Sequence, residues 1–174
     1  MKFINNSSDL AKFLSIKIIR QSKITNISTD TRGLKVGSLF FAIKGEQFNG
    51  NDYVEDALKK GASFVVTDSR RFKSTNDKNI IYVNNTIVAL RKIAKNILKK
   101  FNGDVIGVTG SNGKTTTTKI ISSVLNKSSG TIKNYNNEIG MPLSIINANA
   151  NSKYLVIEMG AAKPKDIQYL SSLL

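Results

Sequence analysis

The chain has 174 residues, 40% of them hydrophobic and 22% charged, a balance that fits a folded globular protein built as one ordinary domain or two small ones. It has no cysteine and no histidine, which excludes disulfides, thiolate metal sites and imidazole chemistry; any metal must be held by oxygen, and that points to magnesium. The net charge of +14 is carried mostly by lysine spread along the whole chain, without the interleaving of arginine and aromatic residues that stacks bases, so it reads as a compositional bias and no nucleic-acid partner is expected.

The opening "MKFINNSSDLAKF" lacks the apolar stretch of a signal peptide, and no run approaches the roughly 20 apolar residues of a membrane span. A cytoplasmic monomer without membrane insertion is expected. Three short β-rich runs follow, "SLFFAI" (38–43), "SFVVTD" (63–68) and "NIIYVN" (79–84), each bounded by Gly, Asn or Asp. Between the first two, Asn51 is placed to cap a helix that turns Val54, Ala57 and Leu58 inward and stops at Gly61. The spacing of Ile87, Leu90, Ala94, Ile97 and Phe101 predicts one apolar face on a helix over 86–101, with Arg91, Lys92, Lys95 and Lys99 outside it. "NGD" (102–104) makes a turn, and the division into two domains, 1–102 and 103–174, is placed there.

Beyond the turn the pattern is strand "DVIGVT", a glycine loop, and a helix "KTTTTKIISSVLNK" whose Ile120, Ile121, Val124 and Leu125 cluster on one side. A polar stretch runs to Asn137, and then come a short helix around "MPLSIINA", the strand "KYLVIEMG" and a helix from Pro164. Strands alternating with helices give an α/β fold class: a small amino-terminal α/β domain followed by the beginning of a P-loop-type α/β domain. No strand follows the last helix. The chain is therefore expected to be the first part of a longer protein and catalytically silent by itself.

"TGSNGKTT" carries the clearest chemistry. Backbone N–H groups of a glycine loop can cradle phosphate at the start of a helix, provided side chains stay out of the way, hence Gly110 and Gly113. Ser111, Asn112, Lys114, Thr115 and Thr116 complete the expected ATP-binding segment, in which Lys114 reaches the β- and γ-phosphates and the Thr115 hydroxyl ligates magnesium. The full P-loop spacing wants glycine where Val108 stands, and Gly107 is one residue out of register. A hairpin turn with an exposed lysine is the plainer alternative. Glu158 ends a strand that reads as buried on both faces, at the edge where open α/β sheets bind ligands. It is expected to share the metal with Thr115; an edge glutamate in water, or the partner of a lysine, is the other reading.

"TGSNGKTTT", "YNNEIGMPLS" and "YLVIEMGA", in that order, resemble the Mur ligases, and "ISTDTRGLKVGSLFFAIKGEQFNGNDYVEDALKKGA" is similar to the uridine-nucleotide domain of that family. The resemblance covers nearly all of the chain. It implies that Thr29, Asp30, Thr31 and Arg32, with Lys44, Gly45 and Phe48, contact the UDP part of the substrate, and that Asn136 and Asn137 form a loop linking nucleotide and substrate sites. An extended "TDTR" would put Asp30 and Arg32 on one side; without the resemblance these four residues read as a turn with a local ion pair. Where the family commonly has Asp-Gly-His, this chain has Asn49, Gly50 and Asn51. The "NNEIG" and "EMGA" forms resemble the branch that uses ATP and Mg2+ to join D-Ala-D-Ala to UDP-MurNAc-tripeptide through an acyl phosphate, with Lys114 as the catalytic cation. "NNEIG" argues against the tripeptide-forming branch and "STDTR" against folylpolyglutamate synthase; a non-catalytic nucleotide-binding module is the remaining alternative.

Overall fold

Parallel strands alternate with helices throughout the computed structural model, which describes residues 2–18, 20–45, 47–132 and 134–174. Two compact units divide the chain, Ile4–Leu90 and a second made of residues 2–3 with Arg91–Leu174.

The first unit opens with helix α1 (Ser7–Leu14), capped by the Asn6 side chain, which accepts from the Asp9 N–H. Strands β1 (Asn26–Ser28), β2 (Ser38–Ala42), β3 (Phe64–Thr67) and β4 (Ile80–Tyr82) pair in that order, all parallel; helix α2 (Val54–Lys59) lies in the chain between β2 and β3. Central strands of a parallel sheet are covered on both faces, which is why β2 and β3 read as continuous apolar runs; Leu39, Phe40, Phe41, Phe64, Val65 and Val66 are all buried. Phe40, Ala42 and Val65 pack with Val54 and Ala57 of α2, and Leu58 joins them half-buried. Gly61 (φ +84) ends the helical stretch as expected.

The expected cap is corrected. It is the Asn49 side chain, not that of Asn51, that accepts from the Asn51 N–H and opens a 3-10 turn over Gly50–Tyr53 ahead of α2. The Asn51 amide is engaged elsewhere: Nδ2 donates to Asn49 and Asp68, and Oδ1 accepts from the Thr67 hydroxyl at 2.6 Å. A side chain pinned across to β3 cannot also cap its own helix.

Helix α3 (Thr86–Leu98) starts where the Thr86 N–H and hydroxyl both donate to Asp68 Oδ2. Leu90, Ala94 and Ile97 are fully buried, as the spacing predicts, and Ile93 joins them. Of the four basic residues expected mostly outside, Arg91 is half-buried while Lys92, Lys95 and Lys99 are exposed. The Arg91 guanidinium lies 4.1 Å over the Tyr169 ring, and Nη2 donates to the Tyr169 carbonyl and the Ser172 hydroxyl, a cation–π contact and two hydrogen bonds.

The second unit holds β5 (Asp104–Val108), α4 (Lys114–Val124), β6 (Ser128–Gly130), α5 (Gly140–Asn147), β7 (Tyr154–Glu158) and α6 (Asp166–Ser171). Its parallel sheet has the order β5-β7-β6. The middle strand β7 is covered on both faces, with Leu155, Val156 and Ile157 fully buried, and α5 is buried along almost its whole length. The apolar side expected of α4 is another correction: Ile120 and Val124 are 57% and 76% exposed, while Ile121 and Leu125 are half-buried. The described residues supply three strands here, with Val105 and Ile106 of the edge strand β5 themselves only half-buried, too little sheet to cover that side of the helix. Strand β6 arises within the polar stretch that runs to Asn137.

Candidate functional site

Strand β5 ends at Val108, the chain turns through 109–113, and α4 begins at Lys114. Gly113 takes the left-handed conformation (φ 75, ψ −3) that admits glycine without strain, and it precedes the helix with no side-chain cap, so the first-turn N–H groups of α4 face outward as donors. The Lys114 ammonium folds back across the loop, donating to the Gly110 carbonyl at 2.7 Å and the Ser111 carbonyl at 3.3 Å. Gly110, Ser111, Asn112, Gly113 and Thr116 are exposed around it. This is a loop opening a helix, not a hairpin. Val108, where the full P-loop spacing wants glycine, is the last strand residue and pairs with Glu158; Gly107 is an exposed strand residue beside the Met159 methyl.

The register Val108↔Glu158 carries the strand-end carboxylate to the mouth of this loop. Glu158 is 2% exposed. Its Oε2 accepts from the Thr115 hydroxyl and its Oε1 from Asn136 Nδ2, each at 2.8 Å, while its own N–H donates to the Thr131 hydroxyl at 2.7 Å. Glu158 is thus neither in water nor, among the described residues, paired with a lysine or arginine. A carboxylate this deep, whose hydrogen-bond donors among the described residues are neutral, is costly unless a cation shares the site. Thr115 donates its proton and still presents oxygen lone pairs, so a hydroxyl and a carboxylate converge as oxygen donors of the kind magnesium takes. The residues present fit the ion. No cluster of three or more acidic side chains occurs among the described residues, so phosphate and water oxygens would complete its coordination.

The two loop asparagines separate. Asn136 enters the site through Glu158, whereas Asn137 holds the start of α5: its Oδ1 accepts from the Ile139 and Gly140 N–H groups and its carbonyl from Met141. Thr131 and Gly160 belong to the same neighbourhood and escaped the sequence reading. Thr131 follows a strand with no apolar residue to announce it; Gly160 sits in the quoted "EMG" and could have been singled out there.

In the first unit, the segments following β1 and β2 lie at the carboxyl edge of one parallel sheet, on neighbouring strands. Residues 29–32 are not the extended segment expected; they bend into a turn at Arg32 and Gly33, where the Leu34 N–H donates to the Thr31 carbonyl. Asp30 Oδ1 accepts the Arg32 N–H at 2.9 Å, and the carboxylate grips the Arg32 guanidinium through Nε and, at 2.7 Å, Nη2. Asp30 and Arg32 do share one side, and the Asp30 hydrogen bond raises the Arg32 pKa above its ordinary value. Thr31 is buried, its carbonyl accepting from Lys60 Nζ at 3.1 Å, while Thr29 is half-buried. Lys44 bridges to Asn49, Gly45 donates to the Phe48 carbonyl, and the Phe48 ring is 72% exposed.

Residues 23–101 match the catalytic domain of the Mur ligase family, and residues 108–174 match the Mur ligase middle domain. The UDP-N-acetylmuramoyl-tripeptide–D-alanyl-D-alanine ligase of Buchnera aphidicola subsp. Baizongia pistaciae is 36% identical across 92% of this chain and 39% of its own length. The ligase of the same name from Bacillus subtilis is 39% identical across 88% of this chain and 34% of its own. The crystal structure of MurF ligase from Thermotoga maritima in complex with ADP superposes with a TM-score of 0.73 at 34% identity, covering 85% of this chain and 35% of that one. The chain therefore spans 34 to 39% of the length of these relatives. With two domain matches in chain order, the same α/β fold and the glycine loop joined to a buried glutamate, the chain belongs to the Mur ligase family.

Proposed function

We propose that this chain supplies the UDP-substrate and ATP-binding parts, over residues 1–102 and 103–174, of the ligase that adds D-Ala-D-Ala to UDP-MurNAc-tripeptide in the cytoplasm. The observation that carries the reading is the Thr115–Glu158 pair, brought by strand register to the mouth of the glycine loop. The names of the relatives support the choice of substrates. In this reaction the terminal carboxylate of the tripeptide attacks the γ-phosphorus of ATP, ADP departs, and the amine of D-Ala-D-Ala then displaces phosphate from the acyl phosphate. Thr115 and Glu158 would hold the magnesium ion, which when bound neutralises charge on the phosphates.

The protein's own contribution is positioning and charge, since neither step needs a protein nucleophile. The loop amides of 110–113 and the start of α4 bind the phosphates. Lys114 exchanges its loop carbonyls for the transferring phosphoryl group. In the first unit Thr29, Asp30, Thr31, Arg32, Lys44, Gly45 and Phe48 bind the UDP portion: the Arg32 fork suits a phosphate, and the exposed Phe48 ring offers a planar face for a base. The enzyme acts as a monomer in this reading, and Asn136 and Asn137 carry the loop between the two ends of the substrate.

Calorimetry on the 174-residue chain tests the assignment. Lys114→Ala should weaken ATP binding by about 1.5–3 kcal/mol, the usual worth of a charge-assisted contact. Glu158→Gln keeps the shape and removes the charge, so it should weaken binding with magnesium much more than binding in EDTA. Equal ATP affinity of wild type and Lys114→Ala would overturn the nucleotide site.

A further inference from the structure

We infer that Asn136 is a positioning residue for Glu158, and that Gly160 is glycine in order to let it be. The inference rests on the metal-nucleotide reading above and goes beyond it by naming what aims the carboxylate. Glu158 is the last residue of β7 and is buried, and two hydrogen bonds aim its carboxylate: the Thr115 hydroxyl donates to Oε2 and Asn136 Nδ2 to Oε1, both at 2.8 Å. The Thr115 hydroxyl must also serve the metal, so the contact that is dedicated to the carboxylate alone is that of Asn136.

Asn136 is itself clamped. Its carbonyl accepts the Gly160 N–H at 2.8 Å, which ties the loop to the residue two places beyond Glu158. A Cβ on Gly160 would stand 3.0 to 3.1 Å from the carbon, nitrogen and oxygen of the Asn136 side-chain amide. That is tighter than most Cβ contacts in folded proteins, so a side chain at 160 would require the amide to give way by a few tenths of an ångström along its line to Glu158. No left-handed φ marks out glycine at 160; what distinguishes the position is the close approach of Asn136. Loop, strand end and carboxylate therefore form one small frame: Gly160 locates Asn136, and Asn136 orients Glu158. Groups that orient a metal ligand by hydrogen bonding affect metal affinity by about 10- to 100-fold when removed.

The test is a Mn2+ titration of the 174-residue chain with ADP present, read by electron paramagnetic resonance, alongside ADP binding in EDTA. Asn136→Ala should weaken Mn2+ binding about tenfold or more and leave metal-free ADP affinity within about twofold. Gly160→Ala, which keeps the asparagine and disturbs only its placement, should weaken Mn2+ binding in the same direction. The double variant should be no worse than Asn136→Ala alone, because both remove one interaction. Additive losses, unchanged Mn2+ affinity in Asn136→Ala, or an equal loss of metal-free ADP binding would each overturn the positioning role. A wild-type chain that binds ADP but no Mn2+ would instead overturn the metal reading itself, and the two failures are told apart by the wild-type titration.

Discussion

Lys60 joins α2 to the turn that presents Arg32. Its ammonium donates to the Thr31 carbonyl at 3.1 Å and pairs with Asp56 at 2.9 Å, one helical turn back. An exposed pair of this kind adds little to stability, so its consequence is local order. The Lys60 hydrogen bond holds the Asp56 carboxyl below its ordinary value, helped by a hydrogen bond from Thr31. A lowered folded pKa means that the contribution is present above the ordinary carboxylate range and is lost as pH falls through the folded value. Lys60→Met should raise the Asp56 midpoint in a carbon-13 NMR titration and weaken UDP-substrate binding while barely moving the melting temperature; unchanged substrate affinity would detach this anchor from function. The residue types that carry chemistry were legible in the sequence, because Lys114, Thr115, Glu158, Asp30 and Arg32 are unusual in their settings. Asn51, Thr131, Asn136 and Gly160 were less so. Their work depends on partners 16, 27 and 22 residues distant, or on a side chain pressed against a glycine, and local patterns do not report such contacts.

At the level of elements, α3 and α4 make a controlled comparison. Both have apolar residues at helical spacing, yet Ile97 is fully buried and Val124 is 76% exposed. Ile97→Ala should cost about 2–5 kcal/mol in urea unfolding, the usual range for truncating a packed aliphatic side chain. Val124→Lys should stay within about 0.5 kcal/mol, as surface changes do. A large loss at 124 would mean that this side of α4 is covered in solution. Periodicity reports which side of a helix is apolar and not whether a neighbour is there to meet it. The same limit explains the strands. Runs with several apolar residues, β2, β3, β4, β5 and β7, are visible in the sequence. Strand β1 has a single buried residue, Ile27, and β6 has none, being a strand only through its pairing with β7. Helix α1 is a different case: Leu10, Phe13 and Leu14 stand at helical spacing behind a capping Asn6, so its signal was present and unused.

For the molecule as a whole, the two sheets differ in how well their strands are enclosed, and this sets where the backbone should open. In the first unit β2 and β3 each have a strand on both sides and side chains buried on both faces. Among the described residues of the second unit, β7 alone does. Strand β5 lies at an edge, and because the Asp104 N–H donates to the Lys153 carbonyl, the alternation of a parallel ladder turns the Ile106 and Val108 N–H groups toward β7 and those of Val105 and Gly107 away from it. Amides bonded within enclosed strands exchange only through large openings, whereas edge amides exchange through small ones. Hydrogen exchange on the 174-residue chain should therefore find Val65 and Val66 among the slowest amides and Val105 and Gly107 among the fast ones, with Ile106 slower than both of its neighbours. Equally slow exchange at all three would show that the outer edge of β5 is paired in solution. The count of strands in the sheet, and with it the exposure of Ile120 and Val124, would then have to be revised.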